Sequence, residues 1–524
     1  MTSMAYNAAS GLGGMLKDGH RHWDDAVIRN IDASTEIAKM VSTSFGPFGR
    51  HKLLINHLQQ MSVTSDCATI LKELEVEHPA AKLLALASQK QKEECGDSTN
   101  LVVMFAGELL HQTLNLMKMG LHVSEVIAGY HVAATTLWEE LPHCVTTTIS
   151  ITSKEELIQI VEPVLGSKIY GSESALAPLV VEACLCVKSP KGKISPDAVR
   201  TIKVLGGTTS DCKTISGYVS QRPVESLEAN ATNCKIVVFA CGLEASSTEA
   251  KGTVLMKNAH DLKNYNVTEE RKMEEIVQSI ADSGVKVIVT GGSVSEMALH
   301  FVNRYKLILM KIGSKWELRR LCQAVGATAL VRLGPPTPDE MGFADSVSPL
   351  HLGSKTLSVF QNSSGKLATI VLRASTHSRL QDIERAVDNA VHALSQASKS
   401  GGHCVPGAGA TEFYLSQKIM ERAQISPGLD QYAIRAFGQA LQIVPRTLAE
   451  TAGWSGPNTL ADMVAYEGDY VGIDLKNSRV GETNVLDLLA TKKSALQLAL
   501  DAAMTVLRID QIIMSKQSGG PKPQ

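Results

Sequence analysis

With 524 residues, 44% apolar and 20% charged, the chain exceeds one hydrophobic core, and ordinary domain sizes predict roughly three. A net charge of −2 leaves no electrostatic footprint for nucleic acid or an anionic membrane, and 4% aromatics offer little for stacking bases. Ten cysteines without a CxxC, the closest pair being Cys184 and Cys186 with no histidine cluster beside them, read as free thiols of a reducing compartment.

From Asp24 to Ser44, Ile28, Ile31, Ala38 and Val41 recur at helical spacing, and the helix stops in the Gly/Pro punctuation of SFGPFGR. SVTSDCATILKEL is a second turn running into a helix, and Pro79 opens another in HPAAKLLALASQKQKEE. Residues 101–119 are apolar nearly all round and predict a buried helix ended by Lys118 and Gly120. In the middle, KIVVFAC (235–241), VKVIVTGG (285–292) and KLILMKI (306–312) are short apolar runs suited to buried parallel strands. Helical stretches at 268–282, 293–303 and 314–325 separate them, which predicts an α/β domain between about 215 and 370. Residues 243–267 fit neither pattern and read as a polar excursion. A helix returns at 379–398, where Leu380, Ile383, Val387, Ala390, Leu394 and Ala397 oppose a stripe of Arg385, Asn389, His392 and Gln396. Helices then dominate to about 507, with a last strand candidate at RIDQIIM and a tail, SKQSGGPKPQ, expected to be disordered. The order predicts one α/β domain inserted into a helical domain whose halves are far apart in sequence.

Four turns stand at helix ends, where free N–H groups and the helix dipole favour an anion: SFGPFG (44–49), TSDCAT (64–69), GDSTN (96–100) and PGAGATE (406–412). Taken singly each is weak: Asp97 or Ser98 reads first as an ordinary N-cap, and PGAGATE as a plain loop. No GxxxxGK[ST] is present, and no glycine-rich turn follows a βαβ strand. A carboxylate beside a phosphate repels it unless a cation intervenes, so Asp97 in such a site implies Mg²⁺.

In this order, and with this insertion, FGPFG, TSDCATIL, GDSTN and GAGA resemble the LGPxG, TNDGATIL, GDGTT and GGGA turns of the group II chaperonins of the eukaryotic cytosol. ELEVEHPAAKLL, KGTVLMKNAHDL, SKWELRRLCQAVGATAL and ATEFYLSQKI narrow the resemblance to one subunit branch. It implies a multidomain α+β fold: a mostly helical equatorial domain (1–150 and 402–524), a small intermediate domain (151–214 and 371–401) and an α/β apical domain (215–370) with a lid protrusion near 243–267. It further implies ATP-driven enclosure of unfolded clients such as actin and tubulin, in a cytoplasmic hetero-oligomeric double ring.

By the same resemblance, Ser44, Phe45, Gly46 and Pro47 would line the nucleotide, and Asp97 would hold Mg²⁺. Ser98, Thr99 and Asn100 would contact phosphate. Gly407, Ala408 and Gly409 would pass the ribose, with Gly472 and Asp487 on the nucleoside side. Asp66 would orient the attacking water. The family's general base, an Asp in a VDD-like run, falls at Asn389 of AVDNAVHAL. An amide holds a water but takes no proton from it, so the resemblance implies either a working ATPase subunit or one that binds nucleotide and scarcely turns it over. Asp388 points roughly 100° away around the helix. Ser98, Ala408 and Cys67 each stand where the family has Gly, which costs on the order of 1 kcal/mol wherever the backbone needs φ > 0. On helix 314–325, Lys315, Arg319 and Gln323 would face outward. They read equally as a solvated face or, by resemblance, as a client-binding groove.

Overall fold

The computed structural model describes residues 21–512 apart from 56–58, 60, 191, 245–258, 354, 364–365 and 469. The chain divides into two compact units, one made of Met1–Ser174 with Arg385–Gln524 and the other of Ala175–Glu384.

The first unit opens with helix α1 (Arg21–Ser42), a hairpin of β1 (Lys52–Ile55) and β2 (Met61–Thr64), and helices α2 (Cys67–Glu73), α3 (Pro79–Cys95), α4 (Thr99–Lys118) and α5 (Val123–Glu140). Strand β3 (Thr147–Thr148), α6 (Lys154–Gly166) and the start of α7 (Glu173–Val187) follow. Helix α3 has Pro79 at its first position and ends on Gly96 in the left-handed region, φ 77°, whose N–H bonds back to the Lys92 carbonyl at 3.0 Å.

In the second unit one mixed sheet holds β4 (Val199–Leu205), β5 (Lys213–Ser220), β6 (Ala231–Phe239), β7 (Val285–Thr290), β8 (Ile308–Lys311), β9 (Ala329–Leu330), β10 (Gly342–Leu352), β11 (Lys355–Gln361) and β12 (Ala368–Ala374). Their order is β4-β12-β5-β11-β10-β6-β7-β8, with β9 on β6. The three apolar runs form β6, β7 and β8 and pair in parallel, as the alternation predicts. Helices α8 (Ala259–Asp282) and α9 (Glu296–Arg304) separate them, and α10 (Lys315–Val325) follows β8. Side chains alternate along β6: Ile236 and Val238 pack with Leu318 and Leu321 of α10, while Val237 and Phe239 pack with Val277 of α8 and Phe301 of α9. Two expectations need correction. The polar excursion is helical from Ala259 onward, because AHDLKNYNV carries no apolar stripe to reveal it; residues 245–258 lie outside the described residues. The sheet is also larger than the apolar runs suggest. Its antiparallel half, β5, β10, β11 and β12, is built from strands of mixed polarity that leave weaker sequence signals.

The chain re-enters the first unit along α11 (His377–Ser400) and continues through β13 (His403–Pro406), α12 (Ala410–Ile425), α13 (Asp430–Leu441), α14 (Ile443–Thr451), α15 (Gly456–Ala465), the β14 (Gly472–Asp474)/β15 (Arg479–Gly481) hairpin, β16 (Leu486–Leu488) and α16 (Leu489–Leu507). Both halves share one core: Val102, Phe105 and Leu109 of α4 cluster with Phe437 of α13 and Ala495 and Ala499 of α16. Phe105 meets Phe437 edge to face at 5.6 Å. The RIDQIIM strand is not formed over 508–512, which are irregular; a strand needs a partner, and none of the described residues pairs with this one.

Candidate functional site

Three of the four turns are stitched together by one side chain. Asn100 Nδ2 donates to the Ser44 carbonyl at 3.2 Å, and Asn100 Oδ1 accepts from the Cys67 N–H at 3.3 Å. The Asn100 side chain is thus buried and turned inward, joining the 44–49 and 64–69 turns to the start of α4. Ser44 is itself buried, its hydroxyl donating to the Arg50 carbonyl at 2.8 Å. Gly46, at φ 79°, lies where a Cβ would meet Leu448 at 2.7 Å, and Phe45 packs on the core; Pro47 is half-buried between them and Gly49.

The fourth turn reaches the same corner through the β16-β13-β3 sheet. Val405 pairs with Asp487, which sets the Asp487 carboxylate beside Gly407, where a Cβ would lie 3.0 Å from Oδ2. Ala408 accepts from the Ile473 N–H at 3.1 Å, and a Cβ on Gly472 would sit 3.2 Å from the same carbonyl. Gly409, φ 82°, caps α12 against Pro445. Asp97, Ser98, Asp487, Thr491 and Lys492 line one cavity together with Ile160, Val164 and Ala393.

Ser98 and Ala408 both adopt left-handed backbone, φ 63° and φ 56°, so these two positions do require what glycine supplies freely. Cys67 does not; it simply starts α2, buried, its thiol pushed up to about 12 by desolvation.

The charges are unevenly distributed. Burial pushes the Asp97 carboxyl above its usual range against the pull of Lys168 and the Ser98 N–H, and Asp487 and Asp66 add to the rise. Asp97 is therefore a carboxylate short of positive charge. Burial would raise Asp66 as well, but Lys168, Lys92 and hydrogen bonds from Lys92 and Thr69 outweigh it and hold Asp66 well below the carboxylate range. Lys492 is buried between Glu412, which it touches closely, and Asp487 at 3.0 Å. Burial opposes its charge, but these two partners hold it above the usual lysine range. Lys92, Lys168 and Lys492 were not singled out from the sequence. For Lys92 a signal exists: it sits four residues after Ser88 and three before Cys95, on the buried face of α3.

Asn389 faces this corner rather than solvent. It is 2% exposed, and its Nδ2 has no hydrogen-bond partner. A Cβ on Gly96 would lie 3.0 Å from the Asn389 carbonyl, and Ala393, one turn on, lines the cavity. Asp388 is exposed on another side of the helix. The Thr491 hydroxyl is likewise buried and unpartnered. The free N–H groups of the first turn of α4, the unpartnered Thr491 hydroxyl and the Asp97 carboxylate together fit a Mg²⁺-bound phosphate group, for which one protein carboxylate plus phosphate oxygens suffice.

The TCP-1/cpn60 chaperonin family model matches residues 37–517. The chain belongs to that family. Among curated chaperonins it is 44% identical over 528 residues to T-complex protein 1 subunit theta of Arabidopsis thaliana and 42% identical over 529 residues to that of Homo sapiens, in each case across 98% of this chain and 96% of the relative. The Dictyostelium discoideum theta subunit is 41% identical over 526 residues, 98% of both chains. The branch is thus theta, and a chaperonin subunit of multidomain α+β fold is what the sequence turns indicate.

Away from the corner, Lys315, Arg319 and Gln323 are exposed on α10 of the second unit, while Leu318, Leu321 and Val325 are buried beneath them. Trp316, not singled out from the sequence, is 70% exposed on the same helix. Among the described residues, no helix is long and apolar enough to cross a membrane.

Proposed function

We propose that this chaperonin chain is an ATP-binding subunit of a cytoplasmic hetero-oligomeric double ring that encloses and folds clients such as actin and tubulin. The observation that carries the nucleotide part is the joining of the turns into one corner: Asn100 ties the 44–49 and 64–69 turns to the start of α4, and Asp487, which lines a cavity with Asp97 and Ser98, lies against Gly407. In this reading Asp97 holds Mg²⁺, while Ser98, Thr99 and Asn100 offer N–H groups to phosphate, with Ser44 to Pro47 lining the nucleotide. Gly407 to Gly409, Gly472 and Asp487 lie on the nucleoside side. Residues 1–150 and 402–524 form the equatorial domain, 151–214 and 371–401 the intermediate domain, and 215–370 the apical domain, where Lys315, Arg319 and Gln323 meet clients.

Ring partners suit the β1–β2 hairpin. A two-stranded sheet is marginal alone, and Leu53, Ile55 and Met61 leave it 59%, 63% and 69% exposed, as an edge awaiting a neighbouring chain would be. Nucleic acid and membrane have no place in this reading.

A specific observation favours a second reading for the subunit itself, that it binds nucleotide and hydrolyses it poorly. The residue that faces the corner is an amide, Asn389, and the neighbouring Asp388 points elsewhere. Asp66 orients water at best, because Lys92 and Thr69 already occupy one of its oxygens. Supplying the base in an Asn389→Asp variant is expected to raise ATP turnover by about 10²–10⁴, measured in rings whose other subunits are silenced. Brisk turnover in the unmutated subunit, unchanged by the substitution, contradicts this second reading.

A further inference from the structure

Asp66 is the most heavily engaged carboxylate of the corner. Its Oδ2 accepts from the Thr69 N–H at 3.2 Å, the Thr69 hydroxyl at 2.6 Å and Lys92 Nζ at 2.6 Å. Lys92 Nζ also donates to Thr69 Oγ1 at 3.0 Å, so two bonds fix the ammonium on the cap of α2. Lys168 stands on the other side, 3.5 Å from Oδ1, but its charge acts on Asp97 too. One ammonium shared between two carboxylates leaves the corner negative; Lys92 balances it. The Asp66 side chain is 2% exposed and that of Lys92 33%, so the cation is the more accessible member of the pair.

We propose that Lys92 is a built-in counter-ion that cancels Asp66 toward a bound polyphosphate, so that this chain holds ADP with little dependence on a divalent cation. The inference rests on the nucleotide reading of the corner. Phosphate oxygens brought near two carboxylates need compensating positive charge, and a divalent ion offsets the two carboxylates. An ammonium fixed against one of the two carboxylates supplies part of that charge permanently. Lys92 is a positioning residue in this scheme: it acts through Asp66 and need not touch the ligand.

The test is binding of fluorescently labelled ADP to the full chain, by anisotropy, with Mg²⁺ and with EDTA. The quantity read is the ratio of the two dissociation constants. Lys92→Gln is expected to raise that ratio about tenfold or more, a loss confined to the metal-free condition. Lys92→Arg, which keeps the charge, and the double variant D66N/K92Q, which removes both charges, are expected to return it to the unmutated value. A purely structural role for Lys92 would weaken binding with and without Mg²⁺ alike and leave the ratio unmoved, so failure of the double variant to restore a raised ratio overturns the proposal. So does a ratio unmoved in Lys92→Gln, or an unmutated chain that releases ADP in EDTA. Should Lys92→Gln fail to fold, Asp66→Asn alone decides, since Asn caps a helix as well as Asp. It must bind ADP in EDTA at least as tightly as the unmutated chain, and weaker binding overturns the proposal. ADP bound with Mg²⁺ but with a ratio insensitive to Lys92 overturns this inference alone. No ADP bound in either condition overturns the nucleotide reading, and the inference with it.

Discussion

Ser98 and Ala408 show what a single residue contributes to this corner. Both carry a Cβ at positive φ, Ser98 in the turn that lines the cavity and Ala408 in the turn that opens α12. The strain is local, so Ser98→Gly and Ala408→Gly are each expected to stabilise the nucleotide-free chain by about 1 kcal/mol. Chemical denaturation of the three chains side by side checks this; a loss of stability in either variant would mean that the side chain makes a compensating contact. The residue types were legible in the sequence as departures from a family pattern, but the backbone angles were not, because φ at a turn depends on what the turn is packed against. Asn100 makes the same point. Its place in GDSTN marked it as part of the corner, yet its side chain spends both ends on Ser44 and Cys67, partners distant in sequence that no local pattern reveals. Lys92 is the opposite case. Helical spacing sets it on the buried face of α3, but QKQKEE looks solvated and the carboxylate that holds Lys92 comes only from tertiary structure.

At the scale of elements, what was legible followed from periodicity. The buried helix α4, the β6-β7-β8 alternation and the long helix α11 each carry a regular apolar repeat, and each stands within a few residues of where the repeat places it. The β1–β2 hairpin, the small β16-β13-β3 sheet and the antiparallel half of the large sheet carry short or mixed patterns and were missed. The contact of α11 with the turn at Gly96 has no sequence signature either. It depends on Gly96, at φ 77°, where a Cβ would lie 2.5 Å from His392 Cβ and 3.0 Å from the Asn389 carbonyl. Gly96→Ala therefore combines backbone strain with overpacking, and is expected to cost about 2–4 kcal/mol. Thermal unfolding measures the loss, and labelled-ADP binding should weaken with it as α11 is forced away from the turn. An unchanged midpoint would show that α11 does not pack there in solution.

At the scale of the whole molecule, two compact units carry two different kinds of surface. The first gathers chain segments from both ends of the sequence around one charged, part-buried corner, and the second presents an exposed Trp316, Lys315, Arg319 and Gln323 on one sheet-packed helix. Membership in the chaperonin family and a theta-type resemblance over 98% of the chain make ring assembly the natural setting for both. The central claim is that within such a ring this subunit holds nucleotide at the corner and, for want of a base at Asn389, retains it through the cycle. Cryo-electron microscopy of assemblies purified through this chain after incubation with ATP and Mg²⁺ tests that most directly. The account predicts a large particle containing other chaperonin subunits, with nucleotide and a cation at Asp97 of this subunit, contacting the 98–100 and 407–409 turns. A chain recovered as a monomer, or a ring in which this corner stays empty at saturating ATP, would contradict it.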